Sequence, residues 1–143
     1  MTKLAMPKID RKLISKKNDI VSDLKKIIKS ENILDHEDET RPFETDALSA
    51  YKQKPLIVVF PENTKEVSKI LAYCNQERIK VVPRGAGTGL SGGALPLEDC
   101  ILLCLGKFNK IVDIDYRNRC VVAQPGVTNL SITQAVEHKR FYY

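Results

Sequence analysis

Apolar positions along the chain fall into two patterns: stripes at helical spacing and short unbroken runs. From Asn18 onward Ile20, Val21, Leu24, Ile27 and Ile28 recur at helical intervals, with Lys25, Lys26 and Lys29 mostly on the opposite face. That pattern predicts an amphipathic helix docking an apolar stripe and leaving its lysines in solvent. A polar, acidic stretch from Glu31 to Asp46 reads as an irregular connection. Leu56 to Phe60 is then continuously apolar, as a strand buried on both faces would be, and Pro61 ends it. Asn63 or Thr64 is placed to cap a helix, with Glu66 in its first turn and Val67, Ile70, Leu71 and Cys74 on one face. Lys80 to Pro83 is a second short strand, so strand, helix and strand form a βαβ unit with parallel strands and a right-handed crossover. A strand at Cys100 to Leu105 follows, then a hairpin pairing Lys110–Asp115 with Cys120–Gln124. Asn118 is the expected left-handed residue of its turn. Pro125-Gly126 breaks the second arm, and Thr128 or Asn129 starts a last helix with Ile132, Ala135 and Val136 on one face, running to about Lys139.

Composition changes this picture in three places. The 143 residues, 43% of them hydrophobic, suit one soluble globular domain, and the apolar runs fall far short of the ~20 residues of a membrane-spanning helix. The net charge of +5 is localised: residues 1–30 carry nine basic and three acidic side chains, and the remainder is close to neutral. Such an arm could meet nucleic acid or an anionic membrane surface. It holds no aromatic residue to stack on bases, and no nucleic-acid-binding module follows it. Neither partner is therefore expected. No apolar segment follows Met1, and Asp10, Asp19 and Asp23 interrupt the basic stretch, so neither a secretory signal nor a mitochondrial presequence is expected and the cytoplasm is the expected compartment. The four cysteines, Cys74, Cys100, Cys104 and Cys120, should then be reduced thiols. Cys100 and Cys104, four residues apart on a strand, lie roughly 13 Å from one another, too far for a disulfide or a shared zinc ion. His36 and His138 stand alone, and no metal site is expected.

The glycines are more informative. Five of the seven, Gly85, Gly87, Gly89, Gly92 and Gly93, fall within nine residues between two strand-like runs. Alternating glycines permit positive φ and let a ligand approach the main chain without meeting Cβ atoms. Converging N–H groups then suit an anion. Thr88 and Ser91 add hydroxyls, and Arg84 adds positive charge beside the loop. A Walker A loop is excluded because no lysine occurs between Lys80 and Lys107. Gly87, Gly89 and Gly92 satisfy G-x-G-x-x-G by the letter, with Asp113 about 20 residues on. Pro96 and the strand at Cys100 leave no room for the helix that the nicotinamide fingerprint requires.

The block Arg84-Gly-Ala-Gly-Thr-Gly-Leu-Ser-Gly-Gly-Ala94 resembles the pyrophosphate loop of FAD-linked oxidases of the vanillyl-alcohol oxidase / p-cresol methylhydroxylase (PCMH) type. Within that type the resemblance is strongest to the flavoprotein branch of glycolate oxidase and the D-lactate and D-2-hydroxyacid dehydrogenases. Asp46-Ala-Leu-Ser-Ala-Tyr51, Pro55 to Pro61, Leu105 to Gln124 and Pro125-Gly-Val127 match the same family in the same order. The resemblance implies an α+β, PCMH-type FAD-binding fold: an N-terminal βαβ subdomain plus the start of a second, antiparallel one. It implies that backbone N–H groups of Gly85, Ala86, Gly87, Thr88 and Gly89 cradle the FAD pyrophosphate, within a segment from Pro83 to Ser91 that includes Arg84 and Leu90. Val82 and Pro83 would lie toward the adenine, and Pro125-Gly126 would make a second contact. The histidine that tethers flavin in some relatives is missing from this loop, so FAD is expected to be non-covalent.

The family's domain continues beyond the blocks matched here. The expected organisation is therefore residues 1–46 as basic helix and connection and residues 47–143 as the first part of an FAD-binding domain. Flavin-ring and substrate groups would come from a further part, as a continuation or as a separate chain, and no catalytic residue is expected in this one. Two other readings stand beside this one: a non-catalytic remnant, and a nucleotide- or phosphate-binding module unrelated to flavin.

Overall fold

A computed structural model describes residues 6–143; residues 1–5, the beginning of the basic arm, lie outside the described part. The chain forms α1 (Arg11–Ser15), α2 (Lys17–Leu24), β1 (Ile33–Leu34), α3 (Glu37–Thr40), β2 (Ile57–Val59) and α4 (Thr64–Glu77). After these come β3 (Lys80–Arg84), β4 (Cys100–Cys104), β5 (Ile111–Asp115), β6 (Cys120–Ala123) and α5 (Asn129–Val136). A four-stranded sheet has the order β1-β2-β4-β3, and β5 and β6 form a separate two-stranded sheet. The expected mixture of helix and sheet is present. Among the described residues no helix is long and apolar enough to cross a membrane.

β2 and β3 run parallel as the βαβ reading requires, but they do not touch. β4 lies between them, parallel to both, pairing Val58 with Leu102 on one side and Arg84 with Cys104 on the other. Every residue of β4 is buried, which explains its unbroken apolar sequence. Alternation then divides the two central strands between two cores. Ile57, Val59, Ile101 and Leu103 face α2 and α4, meeting Ile20, Val21, Leu24, Ile28, Ile70 and Cys74. Val58, Leu102 and Cys104 face the other way, toward Leu34, Phe43, Phe60 and Val82. The apolar stripe of the basic arm is thus part of the main core, and Lys25, Lys26 and Lys29 are exposed as expected.

Several local expectations need correction. The connection from Glu31 to Asp46 is ordered: Ile33 and Leu34 pair antiparallel with β2, and Asn32, Thr40 and Asp46 are buried. Two apolar residues are too short a run to carry a periodicity. Leu71 is 44% exposed, because α4 docks through the narrower stripe of Val67, Ile70 and Cys74. Arg119, not Asn118, takes the left-handed conformation in the hairpin. Asn118 is otherwise engaged: its N–H and side-chain amide donate to the two carboxylate oxygens of Asp115 at 2.9 and 2.6 Å. Asn63 caps α4 by accepting from the Glu66 N–H, and Thr128 caps α5 in the same way through Ser131.

The four cysteines are free thiols. Burial pushes Cys74, Cys100 and Cys104 up to about 11, which makes them poor nucleophiles at neutral pH.

One buried carboxylate fastens the N-terminal segment to the sheet. Asp99, 2% exposed, accepts from Lys80 Nζ at 2.6 Å and from the Asp10 N–H at 2.7 Å. Burial opposes the Asp99 charge, but the Lys80 and Asp10 hydrogen bonds outweigh it and hold the carboxyl below its ordinary 3.8. A depressed carboxyl contributes stability above its unfolded pKa and loses that contribution as pH falls through the folded one. Asp99→Ala is expected to destabilise the fold by roughly 1–3 kcal/mol, the lower part of the range for breaking a buried pair because Lys80 remains partly solvated. Denaturant melts should show the gap to wild type at pH 7 and its closure below about 3.8; a gap independent of pH would contradict the assignment.

Candidate functional site

The three parallel strands end at one sheet edge, and the exits from β3 and β4 build the site. β3 leads into the glycine loop. Residues 85–99 contain no helix before β4 begins, so the nicotinamide alternative lacks the helix it needs. The Leu105 N–H donates to the Arg84 carbonyl at 2.9 Å, carrying the β3–β4 ladder to its end and bringing the two loops side by side. Gly126 joins them from beyond the hairpin: its N–H donates to the Phe108 carbonyl at 2.6 Å. The loop and Pro125-Gly126, far apart in sequence, therefore meet at one edge. Ligands of open parallel sheets collect at such an edge.

The clustered glycines do not share one reason for being glycine. Gly87 and Gly92 have positive φ, 72° and 73°, which L side chains rarely adopt. Gly85, Gly89 and Gly93 have ordinary φ and nothing within 4 Å of where a Cβ would stand. No contact among the described residues calls for glycine at those three positions; the open space is what a ligand pressed against the main chain would fill. Ala86, Thr88, Gly89, Leu90 and Ser91 are exposed around it, and Leu90 is 73% exposed. Val82 is half-buried and Pro83 exposed at the end of β3. Gly126 has a structural reason of its own, since a Cβ there would stand 2.6–2.9 Å from the carbonyl oxygens of Phe108, Leu105 and Gly106.

Arg84 does not extend freely into solvent. Its Nη1 donates to the Thr45 carbonyl at 2.7 Å, its Cζ lies 5.8 Å from the centre of the Phe43 ring, and its guanidinium sits where a Gly87 side chain would be. Leu48 lies under Gly92, 3.7 Å from its missing Cβ. Between these supports, Asp46 is buried; its Oδ1 accepts from the Leu48 N–H, while Oδ2 has no partner among the described residues. The stretch 43–48 is thus the floor of the loop. Periodicity missed it, and the only signal for it was the Asp46–Tyr51 block.

Two other arrangements are accounted for without a ligand. Asp35, His36 and Glu39 bring ligand-type atoms within 4.8 Å of one another, closer company than the sequence suggested for His36. His36 and Glu39 form a capping box for α3, the Glu39 carboxylate accepting from the His36 N–H at 3.3 Å, and Asp35 lies 3.9 Å from the His36 ring nitrogen. A cleft of about 430 Å³ is lined by Lys17, Glu37, Glu44, Lys52 and Lys54 among others, none from the glycine loop. Its lysines are engaged by the Asp35 carbonyl, Glu44 and Glu37.

A helix-free glycine loop at the edge of a small parallel sheet, followed by an antiparallel hairpin, defines the first part of a PCMH-type FAD-binding fold. p-Cresol methylhydroxylase, solved with substrate bound, matches 88% of this chain and 25% of its own at a TM-score of 0.76 and 23% identity. A family model described as FAD binding domain matches residues 55–143; the chain belongs to that family, and its cofactor is FAD. The glycolate oxidase protein GlcD of Escherichia coli is 45% identical over 139 residues, 97% of this chain and 27% of the relative. The probable mitochondrial D-2-hydroxyglutarate dehydrogenase of Oryza sativa is 36% identical over 124 residues, 87% of this chain and 22% of the relative. The chain thus spans about a quarter of the length of these curated relatives.

The division among the glycines is directly testable. Gly85→Ala and Gly89→Ala are expected to leave stability unchanged or raise it by up to about 1 kcal/mol, while weakening ligand binding. Gly126→Ala should cost about 1–3 kcal/mol through overpacking against three carbonyls. Thermal melts of the three variants separate the cases; a large loss of stability in Gly89→Ala would assign that glycine to the fold.

Proposed function

We propose that this chain is the pyrophosphate-holding portion of a flavin-dependent oxidoreductase that oxidises a small 2-hydroxy acid such as glycolate or D-lactate. The observation that carries the site reading is the open space at Gly85, Gly89 and Gly93, interleaved with two glycines at positive φ, at the edge where three parallel strands end. Backbone N–H groups of Gly85, Ala86, Gly87, Thr88 and Gly89 bind the pyrophosphate, and the hydroxyls of Thr88 and Ser91 add donors. Val82 and Pro83 give the loop its apolar margin toward the adenine, and Leu90 stands exposed within the loop. Pro125-Gly126 closes the edge from the hairpin side. FAD, held non-covalently, supplies the two-electron acceptor. The similarity to a glycolate oxidase subunit and a probable D-2-hydroxyglutarate dehydrogenase supports this substrate class.

The site holds the nucleotide end of the cofactor. No residue is assigned to proton removal from substrate or to the flavin ring, and both are placed in sequence beyond this portion, continuous with it or on a separate chain. The reading includes a reducing compartment, the cytoplasm, in keeping with the four free thiols.

The chain by itself is expected to bind ADP measurably and adenosine much more weakly, and to take FAD little better than ADP. Ligand-observed NMR or calorimetry with the three compounds checks this. Gly87→Val should abolish ADP binding, because position 87 must adopt φ near +72° and a β-branched residue there is strained. Undiminished ADP binding in that variant would move the pyrophosphate elsewhere. Purification with a stoichiometric yellow chromophore would show that this portion also holds the flavin ring.

A further inference from the structure

We propose that Arg84 is the charge anchor of the pyrophosphate cradle and that Phe43 and Thr45 aim its guanidinium; the inference rests on the reading of the loop given above. The resemblance placed Arg84 in the cofactor segment but offered no means of fixing it. The structure provides one. The Thr45 carbonyl accepts from Nη1 at 2.7 Å, and the Phe43 ring covers the guanidinium with 5.8 Å between Cζ and the ring centre. Phe43 is itself held edge-on by Phe60, the residue that follows β2, with ring centres 5.8 Å apart. One side of the guanidinium is therefore engaged with the 43–45 segment.

The remaining donors lie on the loop side. Nη2 and Nε are among the atoms that a Gly87 side chain would meet, and neither has a hydrogen-bond partner among the described residues. The lysines that flank the loop in sequence are already engaged. Lys80 pairs with the buried Asp99, and Lys107 binds Asn32 and approaches Glu62 at 3.7 Å. Arg84 is thus the flanking cation with donors to spare. A planar guanidinium with two free donor nitrogens matches a phosphate oxygen pair, which a lysine ammonium would meet only as a point charge. Phe43 contacts no ligand in this arrangement and is a positioning residue. Its ring holds the guanidinium by cation–π attraction and restricts its rotamers, so less ordering remains to be done when the anion arrives.

The test uses the 143-residue chain with ADP and adenosine as probes, in Arg84→Gln, Arg84→Lys and Phe43→Leu variants. Arg84→Gln should weaken ADP binding about tenfold or more, the scale of a lost charge-assisted contact. It should leave adenosine within about twofold and flatten the salt dependence of ADP binding. Arg84→Lys and Phe43→Leu should each weaken ADP by about three- to tenfold, with adenosine again unchanged, because each keeps the charge but loses its aim. A purely structural role would weaken nucleotide and nucleoside together and leave the salt dependence as it was; that outcome, or wild-type ADP binding in Arg84→Gln, overturns the proposal. If a melt shows that Arg84→Gln does not fold, the ADP-to-adenosine ratio in the other two variants decides by the same criterion. A wild-type chain that takes ADP and adenosine alike, or takes neither, overturns the pyrophosphate reading and this inference with it.

Discussion

The central strand β4 is the constraint on which the rest of the structure depends. It is buried at all five positions and pairs in parallel on both sides, so its backbone groups are satisfied only if β2 and β3 flank it in register. That register places Arg84 opposite Cys104 and makes the exits from β3 and β4 adjacent. The glycine loop, the turn at Leu105–Phe108 and Gly126 then meet without any side chain having to draw them together. The geometry of the candidate site is a consequence of how the core strand pairs.

The two sides of that sheet have different tasks. One face is covered by α2 and α4 through a large aliphatic core, and this is where burial contributes most of the stability. The other face carries a smaller cluster that includes Phe43 and Phe60, and here the packing also supports the loop through Arg84 and Leu48. A substitution in the first core should act through folding alone. In the second, stability and ligand geometry are coupled, because Phe43 contributes to both.

Much of this was legible in the residues. The runs at Leu56–Phe60 and Cys100–Leu105, the spacing in α4 and the breaks at Pro61 and Pro125-Gly126 reported their elements directly, because each imposes its own local pattern. The loop was also legible, since glycine clustering has few structural explanations in a chain otherwise poor in glycine. What stayed hidden was non-local. The insertion of β4 between β2 and β3 leaves no trace in local periodicity, and the strand at Ile33–Leu34 is too short to show one. Arg119 took the left-handed turn position because Asn118, the residue with the better intrinsic preference, was bound to Asp115. The floor at 43–48 is defined by what it touches across the fold, and sequence spacing carries no record of that.

The glycine loop is exposed, and exposure decides what kind of anion site it can be. Charges in water at this edge are screened within about 8–10 Å at ordinary ionic strength, and mobile surface lysines must be ordered before they contribute. Backbone N–H groups escape both penalties: they are fixed by the chain path and close to the ligand. That favours a cradle made of main chain, for which glycine is the enabling residue, with one side-chain cation held from behind. Arg84 meets that requirement because its surroundings have already restricted it before a ligand arrives. The same logic explains why Lys80 and Lys107, the first lysines on either side of the loop in sequence, are used to fasten the scaffold: each binds a buried or half-buried acceptor, where a charged contact is less screened and contributes to keeping the edge in register.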